Sequence, residues 1–569
     1  MEPTLYRNAR IFTAEPGSDR PTADAMLVQD GVLLALGSEA DVAEAAGLAG
    51  AEQHKLEQRT LEQRTAEQRT VGLRTVDLAG RVVVPGFIDA HTHVMMMGEA
   101  LGKVELTSAK DLEEIQERLT AARAEDPAAE RLLGRGWLFD SVPGGAPTAA
   151  MLDAVVPDVP VYLDANDLHS CWVNSAALAE LGITDGTPDP IGGRIVRDAD
   201  GHATGLLLET AATQTVWPLL ESRTTDEDRD AALERAFEAY LAAGVTGAVD
   251  MAFGEADLAA VERAIDRHGG RLPIRLAAHW LIDNHGDAER NSAQLRRAAE
   301  LAGRDFGGSF RVVGVKFISD GVIDACTAAL GAPYTDGSNA DPIWPADDLR
   351  PAVLEADRLG LQIAIHAIGD AASSNALDAL EAAAAGNPSW GRRHRIEHLE
   401  YAAEGTAERL AALGLTASMQ PVHTDPALRA NWDAMLGADR AARGFAWPEY
   451  EAAGALLAFS TDAPTAPHEA LANMYVATTR RSALDRSLAA VEPQFALSLG
   501  RAIGHATRDA AASVGDSATR GRLAPGYAAD FAVLAGDPFA DGPEALLDTG
   551  VAATFVDGRE VHTAERAGV

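Results

Sequence analysis

The chain has almost no cysteine: Cys171 and Cys326 are the only two in 569 residues. Two thiols make neither a disulfide framework nor a four-cysteine zinc site, so any metal must be held by histidines and carboxylates. Lysine is nearly as scarce, limited to Lys55, Lys103, Lys110 and Lys316. A lysine inside a strand therefore stands out, and Lys316 is in one. Positive charge is deficient overall, with 48 basic against 85 acidic residues and a net charge of −37. That balance excludes a nucleic-acid partner, whose phosphates demand a basic face, and it opposes docking on an anionic membrane. It describes a soluble, self-repelling surface. No stretch approaches the roughly 20 apolar residues of a membrane helix. The opening MEPTLYRNARIFTAEPG has no basic segment followed by an apolar run, so the expected location is cytoplasmic.

Residues 56–70 read LEQRTLEQRTAEQRT. A polar five-residue period fits neither helix nor strand and is too short for a solenoid repeat, so a surface loop without catalytic role is expected. From Arg81 onward, apolar strand-like runs alternate with stretches of helical period, the pattern of βα units. Eight such strands are expected at 81–90, 244–251, 274–281, 312–318, 361–366, 394–398, 415–420 and 455–460. Their near-continuous apolar character suits parallel strands buried on both faces, and eight units imply a (β/α)₈ barrel of the TIM type.

The gap after the first strand is too long for one helix, so residues from about 100 to 217 are expected to form an insertion beside the barrel mouth. The tail repeats the short-strand character of the head: DFAVLAG and VAATFVDGREV match LYRNARIFTA and AMLVQDGVLLALG. Residues 1–80 and 521–569 are therefore expected to form a small composite β-sandwich, with the barrel at 81–520.

His91 and His93 end the first strand in VVVPGFIDAHTHV. Residues i and i+2 of a strand share a face, so the two imidazoles can grip one ion. Alone, a His-x-His is a weak signal. Its companions strengthen it: Lys316 ends the fourth strand, His366 the fifth and His398 the sixth, and Asp462 follows the eighth. All six sit at C-terminal strand ends, the face where barrel enzymes place their chemistry. Lys316 is also open to a plainer reading, a rim lysine paired with an acid such as Asp320. Further residues fall near the same rim. Trp137 and His169 lie in the insertion and His423 follows the seventh strand; each is a candidate substrate contact, with packing or structural hydrogen bonding as the plainer reading. His279 ends the third strand. Asp370 reads as a helix start or a contact behind a ligand, and His505 as structural.

The set GFIDAHTH, GVKFISDG, HAIGD, RIEH and STDAP resembles the amidohydrolase superfamily. The segments GRGW, HSCWVNSAAL, DPIGGRI and GRLAPGYAADFAVL resemble its amidohydrolase family 3 branch, whose members include an N-substituted formamide deformylase. The resemblance spans nearly the whole chain apart from the EQRT tract. One departure is Cys326, where a basic residue is expected before the threonine; it bears on substrate recognition more than on metal binding.

The resemblance implies two divalent ions, Zn²⁺ foremost. His91 and His93 would hold the more buried ion, and His366 and His398 the more exposed one. Lys316 would bridge them as a carboxylated lysine, and Asp462 would ligate the first ion and handle protons. It implies hydrolysis of a C–N bond in a small-molecule amide or formamide, and a homodimer. The same site leaves open ester hydrolysis, isomerisation or decarboxylation, and a non-catalytic binding or regulatory protein.

Overall fold

The computed structural model describes residues 2–47, 73–165, 170–190, 193–427, 429 and 431–564. The EQRT tract and His169 lie outside them. Two compact units result, one from Met1–Val94 with Phe237–Val569, the other from Met95–Ala236.

The first unit contains an eight-stranded parallel sheet. Its strands are β1 (Phe87–Thr92), β2 (Val245–Phe253), β3 (Arg275–Leu281), β4 (Phe310–Ile318), β5 (Gln362–Ala367), β6 (Arg395–His398), β7 (Thr416–Met419) and β8 (Leu456–Phe459). Neighbours in sequence are neighbours in the sheet. Residues just past β8 close the seam onto β1. The Asp462 amide donates to the His91 carbonyl at 2.8 Å and the His93 amide to the Ala463 carbonyl at 3.0 Å. The Thr461 amide donates to Asp89 Oδ1 at 2.9 Å. The result is a TIM-type barrel whose helices follow their strands, as Asp370–Gly386 follows β5. Asp370 is the first residue of that helix and accepts from the Gly331 amide at 2.7 Å.

The first expected strand, 81–90, is two strands. Val82–Pro85 pairs with the tail strand Phe531–Leu534, and β1 begins only at Phe87. The break falls at Gly86, where a Cβ would sit 2.2 Å from Thr246 Oγ1 on the next barrel strand, so only glycine lets the chain pass from one sheet to the other.

Head and tail meet in two small sheets. One orders Val32–Gly37, Ala25–Gln29, Thr4–Arg7 and Arg74–Asp77; the other Arg10–Ile11, Val82–Pro85, Phe531–Leu534, Val551–Val556 and Arg559–Thr563. Tyr6, Met26, Val28, Val83, Phe531 and Phe555 share one buried cluster that draws on both sheets. Phe531 and Phe555 stack with centroids 4.3 Å apart. Arg275 at the start of β3 donates from Nε to Asp530 Oδ2 at 2.9 Å, a buried ion pair anchoring the barrel floor to the tail.

The second unit carries a six-stranded sheet running Gly193–Arg197, Ala203–Glu209, Ser170–Val173, Val161–Ala165, Leu132–Trp137 and Val104–Glu105. Trp137 is fully buried in its core, packs edge-on to Trp172, and donates its indole N–H to the Leu163 carbonyl at 2.9 Å. The packing reading describes this residue; its only polar atom is already engaged inside the unit.

Candidate metal centre

At the C-terminal rim of the barrel, three imidazoles converge on one carboxylate and a fourth packs against them. His91 Nε2 lies 3.3 Å and His93 Nε2 3.0 Å from Asp462 Oδ1, and His398 Nδ1 lies 4.0 Å from Asp462 Oδ2. The His91 and His398 ring centroids are 4.7 Å apart, and those of His398 and His366 are 4.4 Å apart. Lys316 Nζ reaches to 3.4 Å from His91 Nε2. All six residues picked out at strand ends thus fall in one cluster. His91, His398 and Asp462 offer donor atoms within 4.8 Å of one another, as a single ion requires.

Backbone geometry makes this convergence possible. Arg395 and Glu397 share the inward face of β6, and strict alternation would send His398 outward. His398 instead adopts φ 74° and Leu399 φ 52°, so the imidazole turns back over the rim beside Glu397. Asp462 likewise sits at φ 60°. Left-handed backbone at non-glycine residues costs on the order of 1–3 kcal/mol each and clusters at functional sites.

The outer nitrogens of three imidazoles are fixed by acceptors. His91 Nδ1 donates to Glu397 Oε2 at 2.7 Å, His366 Nε2 to the Gly321 carbonyl at 3.1 Å, and His398 Nδ1 to Gln420 Oε1 at 2.9 Å. Each bond places the ring proton on the bonded nitrogen and leaves the other a bare lone pair, which in His91 is Nε2, 3.3 Å from Asp462 Oδ1. That is the arrangement by which proteins orient metal-binding histidines. Gln420 is itself held, donating from Nε2 to Ser460 Oγ at 2.9 Å. Glu397 is completely buried and also takes Arg395, whose Nη2 bonds the Ala90 carbonyl at 2.6 Å and Ser418 Oγ at 2.7 Å.

Electrostatics agree with metal-ready donors. Burial pulls His91 down to about 4 and His366 down to about 3, and pushes His398 well below its usual range, so these rings are neutral at pH 7. Burial would raise Asp462, but His91, His93 and His398 around it outweigh that, and it stays ionised. Burial brings Lys316 down to about 8, which puts the neutral amine within reach of physiological pH.

The donor set fits a divalent cation. Among the described residues no hydrogen bond is donated to the buried Asp462 Oδ1, although two imidazole nitrogens stand within 3.3 Å. Lone pairs crowded together in this way need a shared cation between them, and imidazole with carboxylate suits Zn²⁺ and similar ions.

Other flagged residues are placed as follows. Asp320 is not the partner of Lys316. It accepts the Ile368, Gly369 and Ala329 amides at 2.9–3.0 Å and lies 3.5 Å from His366 Nε2, tying the loop after β4 to that after β5. His279 is fully buried inside the barrel. His505 bonds Asp509 at 2.8 Å and Glu451 at 2.9 Å, a structural role. Cys326 sits at φ 54° in the loop after β4. His423 lies on the rim, its ring parallel to His398 with centroids 6.1 Å apart. Burial lowers its titration point, but the Glu400 hydrogen bond and charge outweigh that and raise it.

Sequence reading had no signal for Gln420 or Glu400, which precede no recognised pattern. Glu397 was visible: it stands inside RIEH, two residues from Arg395, on the face alternation turns inward.

An amidohydrolase family model matches residues 74–562 of the chain. The chain is 30% identical over 568 residues to the putative amidohydrolase YtcJ of Bacillus subtilis (strain 168), covering 98% of this chain and 99% of that protein. It is 27% identical to the N-substituted formamide deformylase of Arthrobacter pascens, covering 98% of each. Among solved structures, an uncharacterized metal-dependent hydrolase from Pyrococcus furiosus superposes with a TM-score of 0.73 at 26% identity, over 94% of this chain and 99% of that one.

Proposed function

The chain belongs to the amidohydrolase family, and from that premise we propose that it hydrolyses the C–N bond of a small-molecule amide or N-substituted formamide. One observation carries the reading: His91, His93 and His398 crowd a buried, ionised Asp462 that, among the described residues, receives no hydrogen bond on Oδ1. Likeness over full length to a formamide deformylase supports the choice of bond.

In this reading His91, His93 and Asp462 hold one ion, and His366 and His398 a second. Lys316, if carboxylated on Nζ, would serve both ions; a free ammonium would repel cations, whereas the neutral amine that burial favours is the form that takes up CO₂. Zn²⁺ is the ion the imidazole-rich set suits best. A bound divalent ion supplies an acidified water and Lewis-acid activation of the acyl group.

The chain's own contribution is positioning and proton handling. Glu397, Gln420 and the Gly321 carbonyl fix the rings of His91, His398 and His366. Asp462 is anchored by its amide to the His91 carbonyl, so its carboxylate is held at one place on the rim. There it accepts the proton of the attacking water and returns it to the departing nitrogen, a role worth roughly 10²–10⁴ in rate. A cytoplasmic homodimer belongs to the same reading. Among the described residues no helix is long and apolar enough to cross a membrane.

The test pairs elemental mass spectrometry of the purified chain with a panel of formamides, amides and matched esters. Near two ions per chain, falling in Lys316→Ala, with turnover of amides or formamides, is the expected result. Turnover of esters alone refutes the choice of bond. Full metal content in Lys316→Ala refutes the bridge.

A further inference from the structure

A histidine–glutamate pair beside the candidate metal centre is unused by the mechanism above. His423 stands on the turn Pro421–Thr424 directly after β7, and the turn is pinned by the Val422 amide donating to Asn473 Oδ1 at 2.9 Å. His423 Nδ1 lies 3.1 Å from Glu400 Oε1, and Glu400 is itself buried. His423 Nε2 lies 3.2 Å from Thr465 Oγ1, whose hydroxyl already donates to the Asp462 carbonyl at 2.6 Å. Both ring nitrogens therefore face acceptors, and the network has both carry hydrogen. The Nε2 end is also 3.8 Å from Asp462 Oδ2. An oxygen seated against Asp462 Oδ2 on the His423 side can come within hydrogen-bond reach of that N–H, and Thr465 is a neutral acceptor that a better one displaces.

We propose that the Glu400–His423 pair is a preset donor for the acyl oxygen of the bound substrate, with His423 Nε2–H directed at that oxygen and Glu400 acting as the positioning residue. The substrate is then an acyl compound whose oxygen becomes more negative as water adds to its carbon. Such a donor strengthens its bond in the transition state and contributes to turnover more than to binding. The proposal rests on the hydrolase reading of the site but not on which acyl bond is cleaved.

His398, Glu400 and His423 also offer donor atoms within 4.8 Å of one another. The experiment therefore separates a hydrogen-bond donor from a ligand. Metal content, kcat and KM are measured for the holoenzyme and for His423→Phe, His423→Gln and Glu400→Gln. Each is assayed on a matched oxo and thio pair, a formamide with its thioformamide, or an ester with its thionoester if only esters turn over. Sulfur is a poor hydrogen-bond acceptor, so it reports loss of this contact. Expected in His423→Phe are unchanged metal content, kcat on the oxo substrate about 10²-fold lower, and KM within a few-fold. The thio substrate should lose far less. His423→Gln, which retains an N–H donor, should recover part of the loss, and Glu400→Gln should fall between.

Equal losses on oxo and thio substrates overturn the proposal, as does an unaffected rate. Loss of metal in either Glu400→Gln or His423→Phe also overturns it, because the pair would then be ligands. If wild type cleaves only esters, the C–N reading fails while the oxo and thio comparison still decides this one.

Discussion

Replacing Glu397 with glutamine tests the idea that the metal centre is built from behind. The carboxylate is completely buried between two cations or would-be cations, accepting His91 Nδ1–H on Oε2 at 2.7 Å and the Arg395 guanidinium on Oε1. Burial alone would raise this group, yet Arg395 and His91 hold it well below the usual carboxylate range. Glutamine keeps the shape but offers one acceptor and one N–H₂. If its oxygen serves Arg395, its amino group faces the His91 Nδ1–H; the ring must then move its proton to Nε2, the nitrogen the metal needs bare. If its oxygen serves His91, the amino group faces the guanidinium.

Either arrangement removes the only negative charge that, among the described residues, pairs with the fully buried Arg395. Breaking a buried pair by deleting one partner costs about 3–5 kcal/mol. Removing the residue that orients a metal-binding histidine costs about 10–100-fold in metal affinity or activity. Expected, then, are a lower melting temperature for Glu397→Gln and metal that leaves at a correspondingly lower chelator concentration. Both are read by calorimetry and elemental analysis after graded chelator dialysis. A variant that keeps wild-type melting and wild-type metal retention would refute the reasoning, since neither the charge nor the tautomer would then depend on Glu397.

Three further outcomes follow from other parts of the molecule. Asp462→Asn should fold normally and lose roughly 10²–10⁴ in kcat, measured on whichever panel substrate turns over; a near-normal rate would remove this residue from proton handling. Asp357 accepts Arg392 Nε at 2.7 Å and His394 Nε2 at 2.9 Å. Burial would raise it, but these partners hold it far below the usual range, while burial lowers His394. Both signs agree: a depressed carboxylate stabilises above its ordinary range, and a depressed histidine makes the unfolded chain the better proton binder below about 6.5. Stability should therefore fall as pH drops from about 6.5 and fall further below about 4, and Asp357→Asn should lose the part below about 4, by denaturant midpoints at a series of pH values; parallel curves below about 4 would contradict the assignment. The net charge of −37 predicts that added sodium chloride, from about 10 mM to 0.5 M, raises the melting temperature by screening self-repulsion, and a fall over that range would show that surface ion pairs outweigh it.

The barrel was legible because its strands announce themselves twice, by apolar runs and by the chemistry at their ends. Lys316, His366 and His398 close three successive strands at spacings that fit βα units, and β4, β5 and β6 end at or within two residues of those positions. The first strand misled because VVVPGFIDA is apolar throughout, and apolar character says nothing about which sheet a strand joins. That choice is made at Gly86 by the proximity of Thr246, a contact 160 residues away in sequence. Trp137 was ambiguous for a related reason: an indole after Gly-Arg-Gly serves a pocket or a core equally well. Only the Leu163 carbonyl and the Trp172 ring decide between them.

What sequence could not supply is the layer that gives the histidines their tautomers. That layer crosses strands, so no local pattern carries it: the acceptor for His91 on β1 is Glu397 on β6, and the acceptor for His398 on β6 is Gln420 beyond β7. The acceptor for His366 on β5 is a backbone carbonyl, Gly321, with no side-chain identity to read at all. The cross-strand rule also explains why a proposed ligand, His398, stands on left-handed backbone. A strand offers only alternate residues to one face, yet β6 must present Glu397 to β1 and His398 to the rim at once. A φ of 74° at His398 is what allows one short strand to do both. The strain at this residue is therefore a consequence of asking RIEH to supply a proposed ligand and the hydrogen-bond partner of another in consecutive positions.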